Sequence, residues 1–243
     1  MIFPYRTLFA LVNATAKRYA TAMILFNENI EAIIFDMDGV LLDSETISIE
    51  SWRKAAAELG ISKDDIDTAQ MACMGTNIND TVNYLDNRYK GKIAGFDGDT
   101  FRKRTSVIFA EMVNGKPVPL MPYARECLEA LSKQNVKIAL ASSTRESIVR
   151  RQLSEVDLLK YFESITTGDM VEHSKPEPDI YLKACESIGV EAKNCVAVED
   201  SPNGARSAIS AEMKTVIIPD KLQPPAEVAE KAWQILSSLK ELC

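Results

Sequence analysis

Short apolar runs alternate with segments of helical periodicity along most of this chain. The clearest apolar run, Ala32–Phe35, is followed at once by polar residues, which predicts a short buried strand. Further strand-like runs lie at 136–141, 162–166, 195–198 and 215–218. Because helical segments separate these runs, we predict an α/β fold with a doubly wound parallel sheet.

The helices of this alternation are predicted from apolar spacing of three and four residues. They cover 123–133, 145–153 and 179–188, with a last helix whose apolar stripe is Val228, Ala232, Ile235 and Leu239. Gly189 stands directly after the third of these segments, where a glycine is a typical helix stop.

The segment that follows the first strand breaks the alternation, because it contains no convincing buried strand. It reads as several helices, one with Trp52, Ala56 and Leu59 on one face and others at 64–71, 79–88 and 100–112. We therefore predict a helical domain at 46–118, inserted into an α/β core made of 24–45 and 119–243. Residues 1–23 are then an N-terminal extension or leader.

Composition and charge narrow the class of protein. The 243 residues are 46% hydrophobic and 26% charged, which permits a sizeable folded core. The net charge of −7 argues against nucleic acid or an anionic membrane surface as the main partner. The five cysteines show no CxxC spacing, which is typical of reduced thiols in the cytoplasm. We expect a cytoplasmic monomer or weak dimer with no membrane span.

The N-terminal segment leaves three interpretations open. The first 27 residues contain no acid but include Arg6, Lys17 and Arg18. They could form a secretory targeting peptide cleaved near Ala14-Thr15-Ala16, a mitochondrial-type leader, or a plain extension of the domain.

The most informative polar residues follow the first strand, at Asp36 and Asp38. In an extended segment these two side chains point to the same side, and two carboxylates held so close repel each other unless a cation lies between them. Mg²⁺ is the simplest candidate, since it prefers oxygen ligands. The pair therefore indicates phosphoryl chemistry at the carboxyl end of a strand.

Hydroxyl and lysine side chains stand at the ends of two other predicted strands. Ser142 and Ser143 end the second strand, and Ser143 and Glu146 have capping-box spacing, so they either cap a helix or help to cradle a phosphate. Lys175 lies in a proline-stiffened loop and is either solvated or able to neutralise an anionic nucleophile and a phosphate together. Asp179 is predicted to cap the helix after this loop.

The strand predicted at 195–198 is also followed by candidate site residues, Glu199 and Asp200. Ser201 and Pro202 have the character of N-cap and first residue of a helix, so Asp200 either assists the cap or completes a metal site with Asp36 and Asp38. Parallel strands bring all four ends to one edge of the sheet, where such folds bind ligands.

Four segments carry a resemblance to a known family. They are FDMDGVLLDSE, LASST, SKPEPDIY and VAVEDSPNG, which resemble the four signature motifs of the haloacid dehalogenase superfamily. The helical insertion is similar to the small α-helical cap of its β-phosphoglucomutase and sugar-phosphatase branch. The resemblance implies that Asp36 is the nucleophile and Asp38 the general acid and base. It also implies that Ser142 and Lys175 hold the phosphate.

The resemblance implies a Mg²⁺ cofactor bound by Asp36, Asp38 and Asp200, with Glu199 beside them, and a small phosphate ester as the partner molecule. Further substrate contacts are expected from Ser143 at the end of the second strand and from Glu45, just past the first motif. They are also expected from Gly75, Thr76 and Asn77, since 73–79 is polar, small and suited to a loop that covers a site. Glu45 could instead cap the first helix of the insertion.

The choice among relatives favours a phosphatase of sugar phosphates, similar to the 2-deoxyglucose-6-phosphate type. Asp38 argues against dehalogenases and phosphonatases, which lack this acid. A phosphomutase is the alternative, although Ser48 and Ile78 stand where β-phosphoglucomutases carry a histidine and an arginine. His173, the single histidine, is interpreted as a loop residue at the site entrance or as a proton-transfer group. A non-catalytic binding module is a further alternative.

Overall fold

The computed structural model describes residues 29–74 and 78–243. The described residues form two compact units: an α/β unit made of 29–41 and Leu120–Cys243, and a helical unit within Leu42–Pro119. The helical unit starts and ends within a few residues of the insertion predicted at 46–118. The predicted N-terminal extension or leader at 1–23 and residues 75–77 lie outside the described residues.

The α/β unit contains a six-stranded parallel sheet, which confirms the predicted fold class. In chain order its strands are β1 (Ala32–Phe35), β2 (Lys137–Ser142), β3 (Ser164–Thr167), β4 (Cys195–Glu199), β5 (Lys214–Ile217) and β6 (Gln234–Ile235). They are arranged as β3-β2-β1-β4-β5-β6. The direction in which strands are added reverses between β1 and β4, and ligands of such sheets bind at this switch point.

The helices are numbered in chain order. They are α1 (Ser44–Glu58), α2 (Lys63–Cys73), α3 (Ile78–Tyr89), α4 (Gly98–Met112), α5 (Ala124–Leu131), α6 (Glu146–Glu155), α7 (Asp179–Ile188), α8 (Pro202–Ser210) and α9 (Ala226–Ala229). None of the helices in the described ranges combines the length and the apolar composition needed to cross a bilayer.

The central strand β1 is apolar and is covered on both faces. All four residues of β1 are buried. Ala32 and Ile34 belong to a core cluster with Ile180 and Ala184 of α7, while the intervening Ile33 points to the opposite face. This packing holds α7 against the sheet.

The helical unit has an aromatic core of its own. The rings of Trp52 and Phe101 meet edge to face with centroids 5.5 Å apart, and Phe96 packs between Phe101 and Tyr89. The predicted face of α1 is wrong at Leu59, which is 41% exposed. The helix ends at Glu58, and the chain turns away at Gly60, whose φ of +70° suits glycine.

The predicted last helix is also wrong. Only Ala226–Ala229 is helical there, and Gln234–Ile235 forms the edge strand β6. The backbone N–H of Trp233 donates to Thr215 (2.8 Å), and that of Leu236 donates to Ile217 (2.8 Å). The apolar spacing fits a helix, but the open edge of β5 satisfies its backbone groups by pairing with this segment instead.

Candidate active site

Parallel register brings the first acidic residue into line with two other strand ends. Phe35 pairs with Leu140 on one side and with Val198 on the other. The Asp36 N–H then donates to the Val198 carbonyl at 3.0 Å. Asp36 consequently lies beside Glu199 at the carboxyl edge of the sheet, as the strand order predicts for motifs so far apart in sequence.

Lys175 joins these two acids from the loop that precedes α7. Its Nζ donates to Asp36 Oδ1 at 2.6 Å, to Glu199 Oε1 at 2.6 Å and to the carbonyl of Ala141 at 3.2 Å. Its side chain is only 9% exposed. The interpretation of Lys175 as a solvated loop lysine is therefore excluded. Burial opposes its charge, but Asp36 and Glu199 outweigh burial and raise the pKa of Lys175.

Glu199 is fully buried and is held by further groups. Its Oε1 accepts a hydrogen bond from the Tyr181 hydroxyl (2.7 Å), and its Oε2 accepts one from Ser201 Oγ (3.2 Å). Sequence reasoning missed Tyr181, which lies next to the apolar stripe of α7. The available signal was a hydroxyl on a core-facing position, since such a group needs a partner.

Three carboxylates that could bind one metal ion lie at this edge of the sheet. Asp36, Glu199 and Asp200 offer oxygen atoms that all lie within 4.8 Å of one another. Three of the four predicted ligands are thus brought together. The carboxylate of the fourth, Asp38, is not in this group, and its Oδ2 accepts a hydrogen bond from Thr144 Oγ1 at 3.0 Å.

The charges of this cluster fit a divalent cation. Three carboxylates, those of Asp36, Glu199 and Asp200, lie close together, and the Lys175 ammonium group pairs with Asp36 and Glu199. Burial raises the pKa of Asp36 to about 8; Lys175 opposes this rise, and Glu199 adds to it. An additional positive charge would lower that pKa and leave Asp36 ionised near neutral pH, and oxygen donors of this kind suit Mg²⁺.

The serines at the end of β2 differ in their surroundings. Ser142 is fully buried, and its Oγ accepts a hydrogen bond from the N–H of Thr144 at 3.1 Å, whereas Ser143 is exposed. The predicted capping box of Ser143 and Glu146 is wrong, because α6 has Arg145 at its N-cap. The Glu146 N–H donates instead to Asp169 Oδ1 at 3.1 Å, an acceptor from the turn after β3.

Of the two other N-caps predicted near the site, one is confirmed and one is wrong. Ser201 is the N-cap of α8, with its Oγ accepting from the Gly204 N–H at 3.1 Å, and Pro202 is the first helical residue, as predicted. Asp179 does not occupy the N-cap position of α7, which belongs to Pro178. Its Oδ2 lies 2.9 Å from Nδ1 of His173, and this contact raises the pKa of the exposed imidazole.

Four substrate contacts are predicted from the helical unit. Glu45 lies in the first turn of α1, but the cap is Asp43, whose Oδ1 accepts from the Thr46 N–H at 3.3 Å, so Glu45 is not the N-cap. Its substrate contact stays a prediction. Gly75, Thr76 and Asn77 fall outside the described residues.

Comparison with known proteins agrees with this geometry. Among curated proteins, the chain is 33% identical over 190 residues to the phosphorylated carbohydrates phosphatase of Thermotoga maritima, covering 76% of this chain and 83% of that protein. It is 28% identical over 192 residues to hexitol phosphatase B of Escherichia coli, covering 77% and 83%.

A solved structure agrees as well. A putative β-phosphoglucomutase from Thermotoga maritima superposes with a TM-score of 0.70 at 29% identity, covering 88% of this chain and 97% of the other. The model of the haloacid dehalogenase-like hydrolase family matches residues 33–218, which include every predicted motif. The chain therefore belongs to the haloacid dehalogenase-like hydrolase family.

Proposed function

We propose that this protein is a Mg²⁺-dependent phosphatase of small phosphorylated carbohydrates that works through an aspartyl-phosphate at Asp36. The observation that carries the proposal is the pairing of Asp36 Oδ1 with Lys175 Nζ at 2.6 Å. A buried carboxylate at the switch point of a parallel sheet, paired with a buried ammonium group, can attack phosphorus while its anionic charge is balanced.

The names of the relatives support the substrate class. Two curated relatives are named as phosphatases, one of phosphorylated carbohydrates and one of hexitol phosphates. Both align with more than three quarters of this chain. We infer a phosphoric monoester hydrolase whose substrates carry the phosphate on a sugar or sugar alcohol.

The first half-reaction transfers the phosphoryl group to the enzyme. An oxygen of the Asp36 carboxylate attacks phosphorus in line with the ester bond, a P–O bond forms to Asp36, and the P–O bond to the sugar breaks. Asp38 gives its proton to the departing sugar oxygen. Lys175 and the Ser142 hydroxyl hold the phosphoryl oxygens, and the ammonium group stabilises the charge that they carry.

The second half-reaction returns the enzyme to its starting state. Asp38, now ionised, takes a proton from a water molecule as that water attacks phosphorus. The P–O bond to Asp36 then breaks and inorganic phosphate leaves. One proton is passed out and one is taken back, so Asp38 ends protonated, as it began.

The cation is assigned to the carboxylates of Asp36, Asp200 and Glu199. A bound Mg²⁺ supplies positive charge that keeps Asp36 ionised and screens the anionic phosphate from it. The expected contributions of Ser143, Glu45, Gly75, Thr76 and Asn77 to substrate binding remain predictions of the resemblance.

A phosphomutase is the second candidate, favoured by the similarity to the Thermotoga maritima structure described as a putative β-phosphoglucomutase. In that case a sugar phosphate, rather than water, accepts the phosphoryl group from Asp36. The absence of the expected histidine and arginine, with Ser48 and Ile78 at those positions, supports hydrolysis instead.

The deciding experiment is a panel of hexose, pentose and hexitol phosphates assayed with and without Mg²⁺ for both inorganic phosphate and isomerised sugar. We expect Mg²⁺-dependent release of phosphate, lost in Asp36→Asn and kept in Asp157→Asn, a matched change on the surface of the same unit. Formation of an isomerised sugar phosphate with little release of inorganic phosphate would favour the phosphomutase over the phosphatase. Full activity in Asp36→Asn would rule out Asp36 as the nucleophile.

A further inference from the structure

The hydroxyl of Tyr181 is part of a continuous buried chain of hydrogen bonds that ends at Asp36. The Tyr181 hydroxyl donates to Glu199 Oε1 at 2.7 Å. The same oxygen accepts from Lys175 Nζ at 2.6 Å, and Nζ also donates to Asp36 Oδ1 at 2.6 Å. Tyr181 and Glu199 are both fully buried, so water does not compete for these bonds.

Glu199 is held by further groups besides Tyr181 and Lys175. Its second oxygen, Oε2, accepts from Ser201 Oγ at 3.2 Å. On another side it lies against Gly204, where an added Cβ would come within 2.0 Å of Oε1. Ser201 and Gly204 belong to the start of α8, while Tyr181 belongs to α7, so two helices hold the carboxylate from different directions.

The direction of the hydrogen bonds gives Tyr181 a defined task. The Tyr181 hydroxyl lies 2.7 Å from an oxygen of the Glu199 carboxylate, which can only accept, so the hydroxyl is the donor. If that donor were removed, Glu199 Oε1 would keep Lys175 as its hydrogen-bond donor. Lys175 would then be drawn toward Glu199 and away from Asp36, since buried carboxylates compete for the same ammonium group.

We propose that Tyr181 is a positioning residue: its hydroxyl anchors Glu199, and Glu199 in turn orients Lys175 toward Asp36 and the transferring phosphoryl group. This inference rests on the proposed function for its consequence in catalysis, but the positions of the side chains test it independently. It assigns to Tyr181 no contact with substrate or metal.

The first test is a crystal structure of Tyr181→Phe beside that of the wild type, both with Mg²⁺. We expect the Lys175 Nζ to Asp36 Oδ1 distance to lengthen beyond 2.6 Å, because Lys175 follows Glu199 once the Tyr181 hydrogen bond is lost. Unchanged positions of Glu199 and Lys175 would overturn the inference whatever the enzyme's activity.

The second test separates positioning from general stability. We expect Tyr181→Phe to lower kcat about tenfold, the effect of one hydrogen bond to a charged group, with KM changed by less than about threefold. Mg²⁺ binding, measured by calorimetry, should weaken in Tyr181→Phe and not in the control, because Glu199 is one of the carboxylates assigned to the cation. Tyr89→Phe is the matched control, because Tyr89 is buried in the helical unit and its hydroxyl donates to the Asp65 carbonyl at 3.3 Å.

The third test is a double-mutant cycle of Tyr181→Phe with Glu199→Gln. If Tyr181 acts through Glu199, removing its hydroxyl in the Glu199→Gln background should change kcat by less than about twofold. Fully additive losses of kcat would contradict the proposal that Tyr181 acts through Glu199. A wild-type enzyme inactive on every phosphate ester would refute the proposed function while leaving the structural test of Tyr181 standing.

Discussion

Asp200 packs directly against the backbone of Gly39: a Cβ added at position 39 would lie 2.2 Å from Asp200 Oδ2. Gly39 also has a φ of +79°, a conformation that side-chain-bearing residues rarely adopt. The glycine of the first motif therefore makes room for the acid of the fourth. The contact explains why a glycine directly follows the Asp36 and Asp38 pair.

Gly39→Ala is expected to displace Asp200 from the carboxylate cluster. Because displacement of a reacting group by about 1 Å costs on the order of 100-fold in rate, we expect a loss of that size in kcat/KM and a higher Mg²⁺ requirement. The measurement is initial rate against Mg²⁺ concentration.

Gly189→Ala serves as the control for backbone strain alone. Gly189 has a φ of +65°, but nothing lies within 4 Å of an added Cβ. This variant should lose about 1 kcal/mol in the free energy of unfolding and keep its activity. Equal activity losses in the two variants would show that strain, not the contact with Asp200, matters at Gly39.

Lys175→Met should destabilise the metal-free protein as well as inactivate it. It leaves Asp36 and Glu199 buried without their common cation, and breaking a buried pair from one side costs about 3 kcal/mol in the free energy of unfolding. Urea unfolding at neutral pH in the presence of a chelator measures this.

Lys193→Met is the matched control for that change, since Lys193 pairs with Glu191 but is 72% exposed. It should unfold with wild-type stability. Adding Glu199→Gln to Lys175→Met should restore part of the lost stability by removing one buried charge. If Lys175→Met alone were as stable as the wild type, the role of Lys175 in balancing the buried charges would be contradicted.

Thr144→Val removes the hydroxyl that donates to Asp38 Oδ2 at 3.0 Å. We expect kcat on sugar phosphates to fall about tenfold, because Asp38 loses a hydrogen bond that fixes it as proton donor. The loss should shrink for p-nitrophenyl phosphate, whose leaving group needs no proton. Thr144→Ser keeps the hydroxyl and should retain activity on both substrates. An equal loss on both substrates in the valine variant would assign Thr144 to another step.

His173 should give the wild type a pH-dependent stability that His173→Asn lacks. The contact with Asp179 raises the folded-state pKa of His173 above its ordinary 6.5, so the stabilisation is complete below pH 6.5. It is lost as pH rises through the folded-state pKa. Melting temperatures from pH 5 to pH 9 should therefore converge for the two proteins toward the alkaline end. Parallel curves over this range would exclude a charged His173–Asp179 pair.

The alternation of strands and helices and the four motifs were predictable because both depend on local pattern. Buried parallel strands require continuous apolar runs, and Ala32–Phe35 and Cys195–Val198 have them. The end of the chain was not predictable in this way. The apolar residues around Ile235 fit helical spacing, but the open edge of β5 offers backbone hydrogen bonds that recruit Gln234–Ile235 as a strand.

Local patterns in the sequence predicted the candidate site residues, because the acids Asp36 and Asp200 and the cationic Lys175 stand at predicted strand ends or in a stiffened loop. The pairing of these side chains depends on the assembled fold. The register between β1 and β4 sets Asp36 beside Glu199, and the packing of α7 on the sheet brings Tyr181 to the same carboxylate. Distances between side chains that lie far apart in sequence depend on strand register and helix packing, which arise only when the whole sheet assembles.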